Sequence, residues 1–169
     1  MKKKPFLLLL GLLLTGLLSL NGCGSSGGDT LTGGSDGGAL TAVTGGVAVD
    51  PYIVNAHFEE VSADGTQIIQ SSSTASDSRG RFSFTNPVQE GSIIRLKSSS
   101  RGMHGNAPFE GMLKRRVTAG ESQDAVVSPL TTLLANGMSE GEVLDMLESA
   151  GLNGLSSADL TKDPMQELI

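Results

Sequence analysis

Cysteine is almost missing from this chain: Cys23 is the only one in 169 residues. A lone cysteine forbids an intramolecular disulfide and any metal site built on a cysteine cluster. Aromatics are sparse, with no tryptophan, one tyrosine and five phenylalanines, which leaves little on which the bases of a nucleic acid could stack. Basic residues are outnumbered, 12 Lys+Arg against 18 Asp+Glu. Three of those bases are Lys2, Lys3 and Lys4, and all the acids lie beyond residue 22, so the remainder is more acidic still. That balance argues for a solvated body and against nucleic-acid affinity. Histidine occurs twice, as His57 and His104. A zinc centre needs three or four ligands in a set geometry. His57, Glu59 and His104 could supply three only if His104 folded back, so both histidines read as surface residues. Asp77-Ser78-Arg79-Gly80 lacks the alternating oxygen ligands of a Ca²⁺ loop, which leaves a Ca²⁺ at a sheet edge as a lesser option. The expectation is no catalytic residue, no metal and no cofactor.

What the chain does have begins at its first residues. Met1 to Lys4 is a positive n-region, and Phe6 to Leu20 is an apolar run of 15 residues, ten of them leucine. As a helix this run would reach ~22 Å, short of the ~30 Å of a bilayer core. The layout is that of an export signal over residues 1–22. The run closes on Leu20-Asn21-Gly22-Cys23, which resembles the lipobox of bacterial lipoproteins, with Asn21 where that pattern usually has Ala or Ser. The resemblance implies cleavage before Cys23, a diacylglycerol on its sulfur and an acyl chain, such as palmitate, on the new amino terminus. Two or more chains make a stable anchor in the bilayer. Gly24 stands where an Asp would resemble an inner-membrane retention signal, which favours the outer membrane.

Residues 23–45 are dominated by Gly, Ser and Thr and read as a flexible, lipid-anchored linker. Residues 46–127 alternate with a period of two: Val47 and Val49, Ala56 and Phe58, Phe82 and Phe84, Ile94 and Leu96. Strands with one buried face follow, with turns at Asp64-Gly65 and Arg79-Gly80. Short strands at this spacing suggest a mainly β, Ig-like sandwich. From Ser128 the pattern becomes helical over residues 128–169. Ser128-Pro129 is an N-cap followed by proline, Leu130, Leu133 and Leu134 share a face, and Gly137 can end the turn. Ser139 to Glu142 is a capping box ahead of the stripe Val143, Leu144, Leu147 and Ala150. Asp163-Pro164 announces a third helix that has only six residues to run, which reads as a segment cut short.

The stretch from Gly46 to Thr85 is similar to the carboxypeptidase-regulatory-like, transthyretin-like modules of exported bacterial proteins. The matching pieces are Gly46-x-x-x-Asp50, Ile53-x-x-Ala56-x-Phe58 and Asp77-x-x-Gly80-x-Phe82-x-Phe84. Val127-Ser128-Pro129-Leu130-Thr131-Thr132-Leu133-Leu134-Ala135 resembles the "SPLTTLLA" junction of large secreted and surface proteins, where a sandwich passes into a small helical segment. The resemblance implies a transthyretin-like sandwich and says little of activity, since such modules accompany many functions.

Two motif matches fail on context. Gly33-Gly34-Ser35-Asp36-Gly37 fits a nucleophile elbow, which needs a strand before it and a helix after it, but it lies in a Gly/Ser tract where such matches arise by chance. Gly22-x-Gly24-x-x-Gly27 fits a dinucleotide loop without any βαβ unit around it. The bases Arg79, Arg81, Arg95, Lys97, Arg101, Lys114, Arg115 and Arg116 crowd residues 79–116. They read first as a solvated strand face offset by acidic flanks, and second as a patch for an anionic polysaccharide or lipid headgroups. The expected role is a non-catalytic binding or structural module of the cell envelope. Its partners would be the bilayer through Cys23 and cell-surface polysaccharide or envelope proteins, with no nucleic acid. The alternative is the accessory part of a longer secreted enzyme or adhesin.

Overall fold

The computed structural model describes residues 39–166, so Cys23, the apolar run and the glycine motifs at 22–27 and 33–37 lie outside the described residues. The fold is mainly β. In chain order the strands are β1 (Gly45–Ala48), β2 (Ile53–Val54), β3 (Phe58–Val61), β4 (Ile68–Ser71) and β5 (Arg81–Ser83), followed by β6 (Ile93–Leu96), β7 (Met103–His104), β8 (Ala107–Pro108), β9 (Lys114–Arg116) and β10 (Ala125–Val127). Two helices follow, α1 (Pro129–Ala135) and α2 (Glu140–Ser149), then a 3₁₀ turn at Ser157–Thr161. One sheet runs β10-β1-β5, a second β4-β3-β6-β9, and a small third β2-β7-β8. β1 is parallel to β10 and antiparallel to β5, and the four-stranded sheet is antiparallel throughout.

Most of the core is where the alternating pattern puts it, but at β1 the register is the reverse of the expected one. Ala48, Ala56, Phe58, Phe82, Phe84, Ile94 and Leu96 belong to one buried cluster with Val88, Ala125 and Val127. Phe82 stacks on Phe58, with ring centroids 3.9 Å apart, and meets Phe84 edge-on at 5.7 Å. Gly46 makes room for this: a Cβ there would lie 2.7 Å from the Phe82 ring and 2.5 Å from the Ala125 carbonyl. The turns also fall where the sequence puts them. Gly65 and Gly80 both have positive φ, 76° and 71°, which glycine adopts without strain.

β1 departs from simple alternation, because all four of its residues are buried. Its inner face meets the phenylalanines. On its outer face Val47 and Val49 form a second small cluster with Val126, over which Tyr52 and Met165 pack. The alternation puts Val47 and Val49 toward the core; Ala48 takes that place, and the two valines are buried because Tyr52 and a chain segment more than a hundred residues away cover the outer face.

Two further expectations need correcting. The folded body starts before residue 46: Val43 is 1 % exposed and belongs to the core. The amide and hydroxyl of Thr41 both donate to the Val88 carbonyl, and Val88 N donates to Val43 O. Two threonines and a valine supply an edge pairing that the surrounding glycines obscure in the sequence. In α1 the leucines 130, 133 and 134 are only half-buried, and Thr131 is the buried residue. The Thr131 hydroxyl lies 2.9 Å from the carbonyl of Lys114, and the Lys114 amide donates to Thr132 Oγ1 at 2.8 Å. The paired threonines dock α1 on the edge strand β9 by hydrogen bonds, where an apolar stripe was expected to do it. At Asp163 the chain does turn, with Gln166 N donating to Asp163 O at 3.2 Å, and residues 167–169 of the expected third helix lie outside the described residues. The Asp163 carboxylate accepts from Met165 N at 2.9 Å and from the Tyr52 hydroxyl at 3.1 Å. The 3₁₀ turn before it, which the sequence did not announce, buries Leu160. The caps at Ser128 and Ser139 form as expected, each a reciprocal capping box.

Candidate functional site

The ground for a site is the outer face of β1, where the helical segment returns to the sheet. Tyr52 is held from two sides. Its ring packs on Val47, Val49 and Val126, and its hydroxyl donates to Asp163, which is itself buried. Burial and the neighbouring carboxylate raise the phenol's pKa above its ordinary value of 10.0. Beside it stands the turn that opens β5. Asp77 Oδ1 accepts from the amides of Arg79 and Arg81, at 2.8 and 2.9 Å, and these hydrogen bonds hold its carboxyl below the usual range. Gly80 lies so close to Ala48 that a Cβ would come within 2.4 Å of the carbonyl. The turn is therefore pinned, and Arg79 and Arg81 project from a fixed base.

Tyr52, Arg79, Arg81, Asp163 and Gln166 enclose a depression of about 390 Å³. Arg81, Asp163 and Gln166 also line a neighbouring one of about 600 Å³, which reaches past Asp124 to Arg115 and Glu121. Both volumes fall in the range of small-ligand sites, ~300–1,000 Å³. Arg81 pairs with Asp124 at 3.3 Å with both side chains half-exposed. Arg115 is 8 % exposed and pairs with Glu121. Its Nε and Nη1 have no hydrogen-bond partner among the described residues.

The residues singled out in the sequence are scattered. His57 lies at the start of β3 with Nδ1 3.2 Å from Ser72 Oγ, and His104 sits on β7 opposite Ile53. Glu59 is buried against the guanidinium of Arg95, at 3.1 and 3.2 Å. Among the described residues no three His, Cys, Asp or Glu side chains gather as a possible metal site. The basic run does not form one patch. Arg95, Arg81 and Arg115 are each paired with a carboxylate. Arg101 donates to the Glu110 carbonyl, and Arg116 to those of Gly91 and Ala63. Lys114 reaches Asn136. These side chains tie loops to strands, and Arg79 alone of the eight stands over a cavity with no hydrogen bond or ion pair of its guanidinium among the described residues.

Sequence reasoning missed the Tyr52–Asp163 contact and the depression it closes. Residues 111 apart share no periodicity, and Asp163 before Pro164 has the local chemistry of a helix cap. The single tyrosine in an otherwise tyrosine-free chain was the one signal available. No family model, no curated protein and no solved structure matches the chain.

Proposed function

We propose that this protein is a lipoprotein of the bacterial cell envelope, anchored through acylated Cys23, whose sandwich of transthyretin-like type serves as a non-catalytic binding or structural module. The observation that carries the anchor is the order of Lys2–Lys4, the 15-residue apolar run and Leu20-Asn21-Gly22-Cys23. Gly24 favours the outer membrane as its place. The transthyretin-like assignment draws on the Asp77–Phe84 stretch, where an Asp-Gly turn leads into a strand whose phenylalanines enter the core. A non-catalytic role accords with the way the charged side chains are spent. Glu59, Asp77 and Glu121 are engaged by arginines or by backbone amides of the fold, and Glu60 is buried between Gln70 and the Gln89 amide.

The test is fractionation of cells making the wild type or Cys23→Ser, with mass spectrometry of the mature amino terminus. The wild type is expected in the membrane with an acylated Cys23 and the variant out of it. A soluble wild type, or a variant that remains equally membrane-bound, overturns the reading.

A further inference from the structure

We infer that the depression formed by Tyr52, Arg79, Arg81, Asp163 and Gln166 binds a carboxylated sugar, such as a uronic acid unit of an anionic polysaccharide. This deepens the reading of the sandwich as a binding module and rests on it. The five side chains have the chemistry such a unit requires. A pyranose offers an apolar face of C–H groups, a rim of hydroxyls and, in a uronate, one carboxylate. Tyr52 offers an aromatic body with a polar tip, and it is fixed at both ends by the Val47–Val49–Val126 cluster and by Asp163. A ring already ordered loses little freedom when a ligand packs on it.

The charge selects the acid over the neutral sugar. Two guanidiniums face one carboxylate in this depression, and that carboxylate is already engaged by the Tyr52 hydroxyl and the Met165 amide. Arg79 brings a guanidinium with no other hydrogen bond or ion pair among the described residues. Arg81 holds Asp124 at 3.3 Å with about half of each side chain exposed. Solvent-exposed pairs of this kind hold their partners weakly, so Arg81 can turn to a ligand at little cost. A planar guanidinium matches a carboxylate through two parallel hydrogen bonds. Gln166 adds an amide that can both donate to and accept from hydroxyls. The chain as a whole carries a formal charge of −6, so it has no general attraction for polyanions, and recognition must come from this local arrangement. The neighbouring depression, which shares three of its walls, gives the next sugars of a chain somewhere to lie.

Tyr52 makes the test direct. It is the only tyrosine, and there is no tryptophan, so intrinsic emission reports this depression. The full chain, purified in detergent micelles, is titrated with an oligomer of galacturonic acid, with a neutral galactose oligomer of equal length, and with dextran sulfate. A saturable change in tyrosine emission is expected with the uronate and not with the neutral oligomer. In Arg79→Gln/Arg81→Gln the affinity should fall roughly tenfold or more, as expected for losing charge-assisted hydrogen bonds. Arg79→Gln alone serves if the double variant melts early. The inference is overturned by no saturable change, by equal binding of the neutral oligomer, by dextran sulfate binding as tightly as the uronate, or by variants that bind as well as wild type. Membrane anchoring is read in a separate experiment, so failure here leaves the lipoprotein reading standing or falling on its own test.

Discussion

At the scale of single residues, the core depends on what one glycine leaves out and on what three phenylalanines put in. Gly46 has no side chain where the Phe82 ring lies, and Phe82 bridges the two sheets by stacking on Phe58. Phe82→Ala removes that bridge and leaves a cavity between the sheets, so it should cost about 3–5 kcal/mol, read as a lowered urea midpoint at an unchanged slope. An unchanged midpoint would mean that the ring contributes nothing to the packing. Asp64 is a residue-scale case of a different kind. Ser62 Oγ, Thr66 N and Thr66 Oγ1 all donate to its carboxylate, which holds its pKa down from 3.8 to about 2. A carboxyl whose pKa is lower in the folded chain stabilises it above the unfolded value, and that contribution fades as pH falls from about 3.8 toward about 2. Amide exchange in the turn before β4 should therefore quicken across that window. In Asp64→Asn the turn should show no such step.

At the scale of elements, the helical segment is held on the sandwich by polar joints as well as by buried apolar residues such as Val143 and Leu160. α1 docks through Thr131 and Thr132 on Lys114, and the segment after the 3₁₀ turn docks through Asp163 on Tyr52. In α2 only Val143 is buried, while Met146 is exposed. Thr131→Val keeps the shape but leaves the buried Ser128 amide without its acceptor and the Lys114 carbonyl without its shorter hydroxyl contact, so a loss of about 1–3 kcal/mol is expected. Thr131→Ser should retain most of the stability. Tyr52 gives the second joint a pH dependence. Its phenol pKa is raised in the fold, chiefly by burial and then by Asp163. The neutral phenol therefore stabilises the folded form fully below pH 10, and this is lost as pH rises through the elevated folded value. Because there is one tyrosine, its ultraviolet titration follows this directly. A midpoint at or below 10 would show that the joint is open.

At the scale of the molecule, these joints should make the sandwich and the helical segment unfold together. Glu121 is a sensitive point, because it pairs with a nearly buried Arg115 and also accepts from Thr118 N. Removing one partner of a buried ion pair leaves an uncompensated charge, which typically costs about 3–5 kcal/mol. Glu121→Ala should therefore lower the melting transition seen by far-ultraviolet dichroism and by Tyr52 emission equally. Two separated transitions would show that the helical segment folds independently.

Local chemistry in the sequence was enough for the strands around Phe58, Phe82 and Ile94, the turns at Gly65 and Gly80, and the caps at Ser128 and Ser139. Each of these is decided by neighbours a few residues away, through side-chain alternation, glycine's access to positive φ, or a hydroxyl within reach of its own helix. Only the tertiary structure decided that Val43 joins the core, that threonines rather than leucines dock α1, and that β1 is covered on both faces. It also decided that Tyr52 and Asp163 meet beside Arg79 and Arg81. Those outcomes depend on which distant segment covers which surface, and hydrogen bonds between residues 111 apart leave no period in the chain that could announce them.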